Sequence, residues 1–397
     1  MRINILLSTV IFPNRFEINR GIYIKKQALE LARRDRLTIV VPVPYLPSFL
    51  GSTPLGFYAK IPREDNIDGL QVHYPRFFIV PKVLRFLHGP FLFFSVCRFY
   101  YRVIRDEKPE ILLGFWAFPD GFANVLVAKI FKLPVVIGCL GSDINQCTKT
   151  YLRRKMIGWT LRNCDQVLSV SEALKAEMVN RLNVSPQRVT VIPNGIEEEI
   201  FYPRDRNEMR EVLGLEKQCQ IAVCVARLEP VKGIDILVHA FARIRRDGRL
   251  LVIIGDGEEM SRMKSLVEEL GLSRSVLLLG SKPHDEIPDW INAADLLILP
   301  SRTEGWPNTL MEAFSCGKPV VASRIGGVPE IINSPMLGIM TNPGDAEDLA
   351  RGIEEGLARD WDAEVIRARV LGRSWAVVTD ELRTELQQVL QRCRTPS

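Results

Sequence analysis

The sequence has few of the residues that build metal sites or disulfide frameworks. Its 397 residues include only four histidines, and none of its eight cysteines forms a Cys-x-x-Cys pair. Zinc sites and small disulfide-bonded domains both need such residues clustered at short spacing. We therefore expect no metal and no disulfides, and interpret the cysteines as reduced, mostly buried hydrophobic residues of a cytoplasmic protein. The cysteines are Cys97, Cys139, Cys147, Cys164, Cys219, Cys224, Cys316 and Cys393.

Long uninterrupted apolar runs are also absent. The most apolar internal region, residues 83–101, contains two arginines, a histidine and a proline, which a membrane-spanning helix tolerates poorly. The apolar start at residues 3–12 is interrupted by Asn4, and no small-residue cleavage site follows it. We predict neither a transmembrane helix nor a signal peptide.

Charge of one sign does not dominate the chain, but it is unevenly distributed. The net charge is +5, with 27 Lys and Arg against 14 Asp and Glu in residues 1–196, and 25 against 33 in residues 197–397. This asymmetry indicates that the first half faces something anionic, such as a phospholipid surface or a phosphorylated molecule. An ordinary solvated basic surface is the alternative.

Both halves alternate short apolar strands with helical segments, which predicts an α/β protein with two Rossmann-like domains and parallel sheets. Asn194-Gly195 forms a turn signal where the charge changes sign, so we place the domain boundary after residue 196. The strands are predicted at residues 3–10, 37–43, 111–114, 135–139, 166–170 and 189–192, then at 221–225, 250–254, 276–279, 296–299, 320–322 and 337–340.

The last segment of the chain has the pattern of an amphipathic helix. Its apolar residues recur at intervals of three and four positions, which places them on one side of a helix. They are Trp375, Val378, Leu382, Leu386, Val389 and Cys393.

Residues 296–330 contain the densest cluster of candidate functional residues. A strand is followed by a loop with Glu304, then by a helix for which Asn308 is the predicted N-cap, and Glu312 lies in its second turn. Free backbone amides near Thr309 and Leu310 would form an anion site. A phosphate there, flanked by carboxylates for hydroxyl groups, describes a nucleotide-sugar pocket. A surface glutamate beside an amphipathic core helix is the alternative.

Two cations and a glycine turn accompany this cluster. Arg227 follows one predicted strand and Lys232 begins a helix, so both cationic side chains would reach the same crevice. Gly255-Asp256-Gly257 ends the next strand. It is not a dinucleotide fingerprint, because Met260 occupies the position of the third glycine.

Together these motifs resemble those of the family-4 retaining glycosyltransferases, whose signature is Glu, seven residues, Glu and a following Gly-Gly loop. The resemblance implies a GT-B fold with an acceptor-binding domain at 1–196, a donor-binding domain at 197–372 and a C-terminal helix at 373–397 that packs back on the first domain. It places Glu304 on the transferred sugar, Glu312 on the ribose, and Arg227 and Lys232 on the diphosphate. The remaining donor-binding residues that it implies are Gly21, Gly255, Ser281, Lys282, Gly305, Asn308, Thr309 and Leu310.

The first half contains less specific candidates. Gly21 begins the first helix and resembles the family's donor-phosphate loop. Asp143 lies in a Gly-x-Asp stretch that resembles the family's acceptor cleft. Its predicted role is either proton acceptor or helix N-cap. Leu140 stands where many members of the family have a histidine. Residues 44–68 read as a long loop. Residues 81–105 mix aromatic and basic side chains, which is typical of a helix on anionic lipid or of a core helix.

The function that the resemblance implies is transfer of a sugar from a UDP- or GDP-sugar to a glycan or lipid-linked acceptor in surface polysaccharide synthesis. It would proceed with retention, without metal or other cofactor, in the cytoplasm or on the inner membrane face, and without nucleic acid. The N-terminal segment looks most like enzymes of polysaccharide and teichuronic acid synthesis. A nucleotide-sugar epimerase or hydrolase and a non-catalytic scaffold are the alternatives.

Overall fold

The computed structural model describes residues 2–45, 56–79 and 85–394. The chain forms two compact units, one of Met1–Asn194 with Trp375–Ser397 and one of Gly195–Ser374. Each unit is built on its own sheet, flanked by helices, so the protein is of the α/β class. The division lies two residues before the boundary that the turn at Asn194-Gly195 predicted.

The first unit contains an eight-stranded sheet in the order β10-β9-β8-β7-β1-β2-β5-β4, and β3 pairs with β6 outside it. All neighbours in the large sheet are parallel except β4 and β5. The strands are β1 Asn4–Ser8, β2 Arg36–Val40, β3 Val43–Pro44, β4 Glu64–Ile67, β5 Leu70–His73, β6 Arg76–Phe77, β7 Ile111–Phe115, β8 Val135–Cys139, β9 Gln166–Ser169 and β10 Val189–Val191. The helices are α1 Ile22–Arg34, α2 Phe57–Lys60, α3 His88–Glu107, α4 Asp120–Phe131, α5 Ser142–Asn145, α6 Tyr151–Asn163, α7 Glu172–Leu182 and the C-terminal helix, Trp375–Arg394.

The C-terminal helix completes the core of the first unit. Its apolar stripe packs among the buried residues of β1, β2 and α1, and the Trp375 ring stacks on Tyr23 with 6.0 Å between centroids. Arg383 pairs with the buried Asp35 at 2.7 Å. Cys393, predicted as the last residue of the stripe, is exposed, and Leu390 is buried instead.

The second unit contains a six-stranded parallel sheet in the order β13-β12-β11-β14-β15-β16. The strands are β11 Gln220–Val225, β12 Arg249–Ile254, β13 Val276–Leu278, β14 Leu296–Leu299, β15 Val320–Ser323 and β16 Gly338–Thr341. The helices are α8 Arg206–Val212, α9 Ile234–Arg243, α10 Met260–Glu269, α11 Ile287–Ala293, α12 Asn308–Ser315, α13 Val328–Ile331, α14 Ala346–Ala358 and α15 Ala363–Ala368, so we number the C-terminal helix α16.

The prediction of one long loop at residues 44–68 is wrong where the structure describes it, and residues 46–55 lie outside the described ranges. Residues 57–60 form α2, and the polar strand β4 pairs antiparallel with β5. Asp65 on this strand also forms an ion pair with Arg15 at 2.6 Å. A strand of mostly polar residues has no apolar alternation, so the pattern alone does not reveal it.

The aromatic and basic stretch forms α3, although residues 81–84 lie outside the described part of the chain. One side of the helix is buried, with Leu92, Val96 and Tyr100 in the core. On the other side Phe94 is 77% exposed and Tyr101 50% exposed. The helix therefore packs in the core and also presents aromatic rings to solvent.

Candidate functional site

In the second unit the candidate residues follow five neighbouring strands. Because parallel strands end at the same edge of a sheet, the loops that leave these strands lie side by side. In sheet order, these loops contain Ser281 after β13, Gly255 after β12, Arg227 after β11, Glu304 after β14 and Gly326 after β15.

Lys232 and Glu304 form the centre of this edge. The Lys232 ammonium donates to Glu304 Oε1 at 2.7 Å, and the Ser301 hydroxyl donates to the same oxygen at 2.6 Å. The two side chains are 21% and 9% exposed, respectively. A cation therefore lies beside a carboxylate, and both groups are largely shielded from solvent.

Two glycines fix the backbone around this pair. Gly326 has a φ of +46°, and a Cβ there would overlap the carbonyl oxygen of Glu304. Gly233, at φ +66°, approaches the carbonyl oxygen of Pro300 in the same way. Only glycine permits both the positive φ and the close approach, so these turns set the positions of Lys232 and Glu304.

Arg227 does not join the Lys232–Glu304 pair. Its side chain is 70% exposed and pairs with Glu229 at 2.6 Å. Its loop is well anchored, since the next amide, Leu228 N, donates to the Asp256 carbonyl at 2.9 Å. The structure thus brings Arg227 to the expected edge but orients its guanidinium toward solvent.

The β12 and β13 loops are joined at Gly255, whose amide donates to the Gly280 carbonyl at 2.8 Å. Beyond Gly280, Ser281 is exposed, and Lys282 lies 3.7 Å from Glu286. These residues occupy the end of the edge farthest from Glu304. Their contact with a nucleotide stays a prediction.

Helix α12 differs in detail from the sequence prediction. Asn308 is its first residue rather than its N-cap, because Pro307 adopts the extended N-cap conformation. The Leu310 amide is not free, since it donates to the Pro307 carbonyl at 3.1 Å. Thr309 is half-buried and Glu312 is buried. Gly305 accepts from the Gly327 amide at 3.2 Å, which ties the start of α12 to the Gly-Gly loop.

In the first unit, Gly21 is the N-cap of α1 and has a φ of +65°. It packs directly against the backbone of Ile11, in the loop that follows β1. The predicted β-loop-α arrangement is therefore present, and Gly21 lies at its turn.

Asp143 is buried and joins the loops after β7 and β8 through hydrogen bonds. Its carboxylate accepts from the amides of Ala117 at 3.1 Å, Leu140 at 3.1 Å and Gly141 at 2.9 Å. Burial raises the pKa of Asp143. The N-cap prediction is wrong, because Gly141 holds that position before α5. A chemical role for Asp143 stays a prediction.

Two residues that the sequence analysis missed support these sites. Ser301 holds Glu304, and Asp120, which is fully buried, accepts from the Val10 amide at 2.8 Å. Ser301 lies just after β14, and Asp120 is the first residue of α4, the helix that follows β7. Burial, the largest cause, raises the pKa of Asp120 well above its ordinary value, and the nearby Asp143 adds to the shift.

Within the described ranges, none of the helices is both long and apolar enough to cross a membrane. No group of three or more His, Cys, Asp or Glu there is arranged to hold a metal ion.

Family models match most of the chain. The model for glycosyl transferases group 1 matches residues 205–369, and that for Glycosyltransferase Family 4 matches residues 21–200. The chain is 30% identical over 253 residues to an uncharacterized glycosyltransferase of Methanocaldococcus jannaschii, covering 64% of this chain and 67% of that protein. It is 26% identical to TuaC of Bacillus subtilis, named for teichuronic acid biosynthesis, over 88% of both chains.

A solved structure is similar to the fold of this chain. HepE from Anabaena, solved with UDP and glucose, superposes with a TM-score of 0.75 at 20% identity, covering 97% of this chain and all of that one. At this identity the likeness shows the GT-B fold alone. The two family models supply the rest: the chain belongs to glycosyltransferase family 4, within the group 1 glycosyltransferases.

Proposed function

We propose that this glycosyltransferase moves a hexose from a UDP- or GDP-sugar to a glycan or lipid-linked acceptor, with retention of configuration and without a metal or other cofactor. The observation that carries the proposal is the Lys232–Glu304 pair at the strand ends. A phosphate needs a cation and a sugar needs an acceptor of hydroxyl protons, and here both lie within one hydrogen bond of each other.

In this proposal Lys232 binds the donor diphosphate, and Glu304 accepts hydrogen bonds from hydroxyls of the transferred sugar. The bond from the anomeric carbon to the diphosphate oxygen breaks, and Lys232 stabilises the negative charge on the leaving group. The acceptor oxygen bonds to the same face of that carbon, and its proton passes to the departing phosphate oxygen. Arg227 would turn from Glu229 toward the diphosphate when the donor binds.

Donor binding is assigned to the second unit and acceptor binding to the first. The nucleotide-sugar assignment is supported by HepE, which was solved with UDP and glucose. A role in surface polysaccharide synthesis is supported by the likeness to TuaC over most of both chains. The excess of basic residues in the first half favours a cytoplasmic location in contact with anionic membrane lipid through α3.

The proposal is tested by mass-spectrometric turnover of a panel of UDP- and GDP-sugars, with isolated membranes supplying the acceptor. Wild type is compared with Lys232→Ala and Glu304→Ala. Lys217→Ala is the matched control, because Lys217 forms an exposed pair with Glu211 in the same unit. We expect transfer to membrane material, lost by about 100-fold or more in both site variants as in other enzymes that lose a charge-stabilising group, unchanged in the control and unaffected by EDTA.

Each other outcome has a clear meaning. Donor breakdown that does not depend on membranes would replace the proposal with a nucleotide-sugar hydrolase or epimerase. Equal activity in wild type and Lys232→Ala would show that Lys232 does not bind the donor diphosphate. No binding of any nucleotide sugar would contradict the proposed function altogether.

A further inference from the structure

Trp116 has a backbone conformation that large side chains rarely adopt. It directly follows β7 and has a φ of +86°. For a bulky residue such a conformation is costly and persists only where the surroundings enforce it. A glycine would fit this turn with less strain, so the fold alone does not explain a tryptophan here.

The peptide groups around Trp116 are held by hydrogen bonds to four residues of neighbouring segments. The Trp116 amide donates to the Gly138 carbonyl of β8 at 2.8 Å, and the next amide, of Ala117, donates to Asp143 at 3.1 Å. The Trp116 carbonyl accepts from the Gly121 amide at 3.1 Å. Thr9, just after β1, donates through its hydroxyl to the Phe115 carbonyl at 3.0 Å. The backbone of this turn is therefore held on both sides of Trp116.

The indole of Trp116 is partly exposed to solvent. Among the described residues no aromatic ring stacks on it, no cation lies over it, and its Nε1 makes no hydrogen bond. Trp159 of the same unit differs, because its ring packs against Phe122 with centroids 5.1 Å apart. Trp116 thus keeps both an apolar ring and an N–H donor available for a ligand.

The position of Trp116 is where an open α/β sheet binds ligands. β7 lies between β1 and β8, and Trp116 stands at their carboxyl ends, next to the loops of Thr9 and Asp143. We propose that Trp116 is the platform on which a pyranose ring of the acceptor stacks. The C–H groups of one sugar face would lie on the electron-rich indole face, and Nε1 would donate to a ring hydroxyl.

This inference rests on the proposed function, since it names the acceptor's chemical class and the residue that selects it. In this proposal the buried Asp143 and Asp120 support the turn that contains Trp116. They brace the loops on either side of Trp116, with Asp120 accepting from Val10 and Asp143 from Ala117.

The test uses the full-length protein with the donor that the panel identifies and hexyl pyranosides of glucose, galactose and N-acetylglucosamine as acceptor probes. Trp116→Gly removes the ring and relieves the strained φ, Trp116→Phe keeps a ring, and Trp159→Phe is the control. For Trp116→Gly we expect the acceptor KM to rise about tenfold, equivalent to about 1.4 kcal/mol, with kcat and Tm little changed. Trp116→Phe should recover part of the loss, and the control should match wild type.

UDP and GDP affinity, measured by calorimetry on the same proteins, separates the two proposals. An unchanged acceptor KM in Trp116→Gly would show that the acceptor does not stack on Trp116. A rise in KM accompanied by losses of Tm and of nucleotide affinity would also overturn the proposal, because the variant would then be generally damaged. If wild type binds nucleotide but neither binds nor glycosylates any pyranoside, the pyranose assignment is wrong while the donor site stands. If no nucleotide binds, the proposed function fails first.

Discussion

Lys232 and Glu304 are 72 positions apart in the sequence, and their side chains meet at 2.7 Å. The pair is neither a surface salt bridge nor a core one, since both groups are mostly shielded but reachable from solvent. Exposed ion pairs add little stability, and desolvation offsets much of the attraction in buried ones. In the proposed function the pair therefore serves ligand binding rather than stability.

Gly326 offers a test of how closely the position of Glu304 controls activity. A Cβ in Gly326→Ala would overlap the Glu304 carbonyl and displace the carboxylate. Gly344→Ala is the matched control, because Gly344 has a φ of +81° and no atom lies within 4 Å of its Cβ position. Both variants should lose about 1–3 kcal/mol of unfolding free energy from strain, measured by urea unfolding.

Activity should distinguish these two variants. A displacement of about 1 Å can cost about 100-fold in rate, so Gly326→Ala should lower kcat/KM by roughly that factor, while Gly344→Ala stays near wild type. Equal activities in the two variants would show that Glu304 tolerates displacement.

The burial of Asp120 leads us to expect that the stability of the folded protein depends on pH. Burial raises its pKa, so the folded protein keeps a proton that the unfolded chain releases above about pH 4. Its contribution to stability therefore falls as pH rises from about 4 toward neutrality. Asp120→Asn stays uncharged and keeps an oxygen to accept from Val10. Thermal unfolding measures the Tm of both proteins, and the Tm of Asp120→Asn minus that of wild type should increase between about pH 4 and 7. A difference in Tm that does not change with pH would contradict this prediction.

At the scale of elements, periodicity located β1, β2, β7 to β10 and the six strands of the second sheet to within three residues, because buried strands are continuous apolar runs. It did not locate β5, which pairs parallel with β2, or the two-residue strand β6. It failed where polar groups or tertiary contacts decide the structure. The polar strand β4 depends on its pairing with β5. The start of α12 depends on Pro307, and Asp143 is set by three amides from two loops. Strand pairing and side-chain hydrogen bonds of this kind leave no apolar periodicity in the sequence, so periodicity does not reveal them.

The same limit applies to the site. Motif spacing identified Lys232 and Glu304 separately, but only the structure shows their hydrogen bond and the contribution of Ser301. The exposed position of Arg227 was likewise not predictable, because its partner Glu229 is an ordinary surface residue by sequence.

Helix α3 predicts contact with an anionic membrane. Phe94 is its most exposed aromatic residue, and Arg98 and Arg102 are exposed beside it. In sedimentation with vesicles of phosphatidylcholine and phosphatidylglycerol, Phe94→Glu should weaken binding about tenfold, because burying such a ring contributes about 1.5–3 kcal/mol. Val212→Glu, an exposed apolar residue of α8, is the control. Equal binding of both variants, or binding independent of phosphatidylglycerol, would contradict the prediction.

At the scale of the whole molecule, charge and chemistry are divided between the two units. The basic first half contains α3 and Trp116, and the acidic second half contains the Lys232–Glu304 edge. In the proposed function the first unit holds the acceptor and the second holds the nucleotide sugar. The proposed sugar transfer depends most directly on the Lys232–Glu304 edge.

The most direct measurement is calorimetric binding of the free nucleoside diphosphate and of the intact nucleotide sugar to wild type, Lys232→Ala and Glu304→Gln. If Lys232 binds the diphosphate, its loss should weaken both ligands about tenfold or more, as expected for a charge-assisted hydrogen bond. If Glu304 binds the sugar, its variant should keep wild-type affinity for the diphosphate and lose the additional affinity for the nucleotide sugar. Equal losses for both ligands in Glu304→Gln, or none in Lys232→Ala, would contradict the assigned donor site.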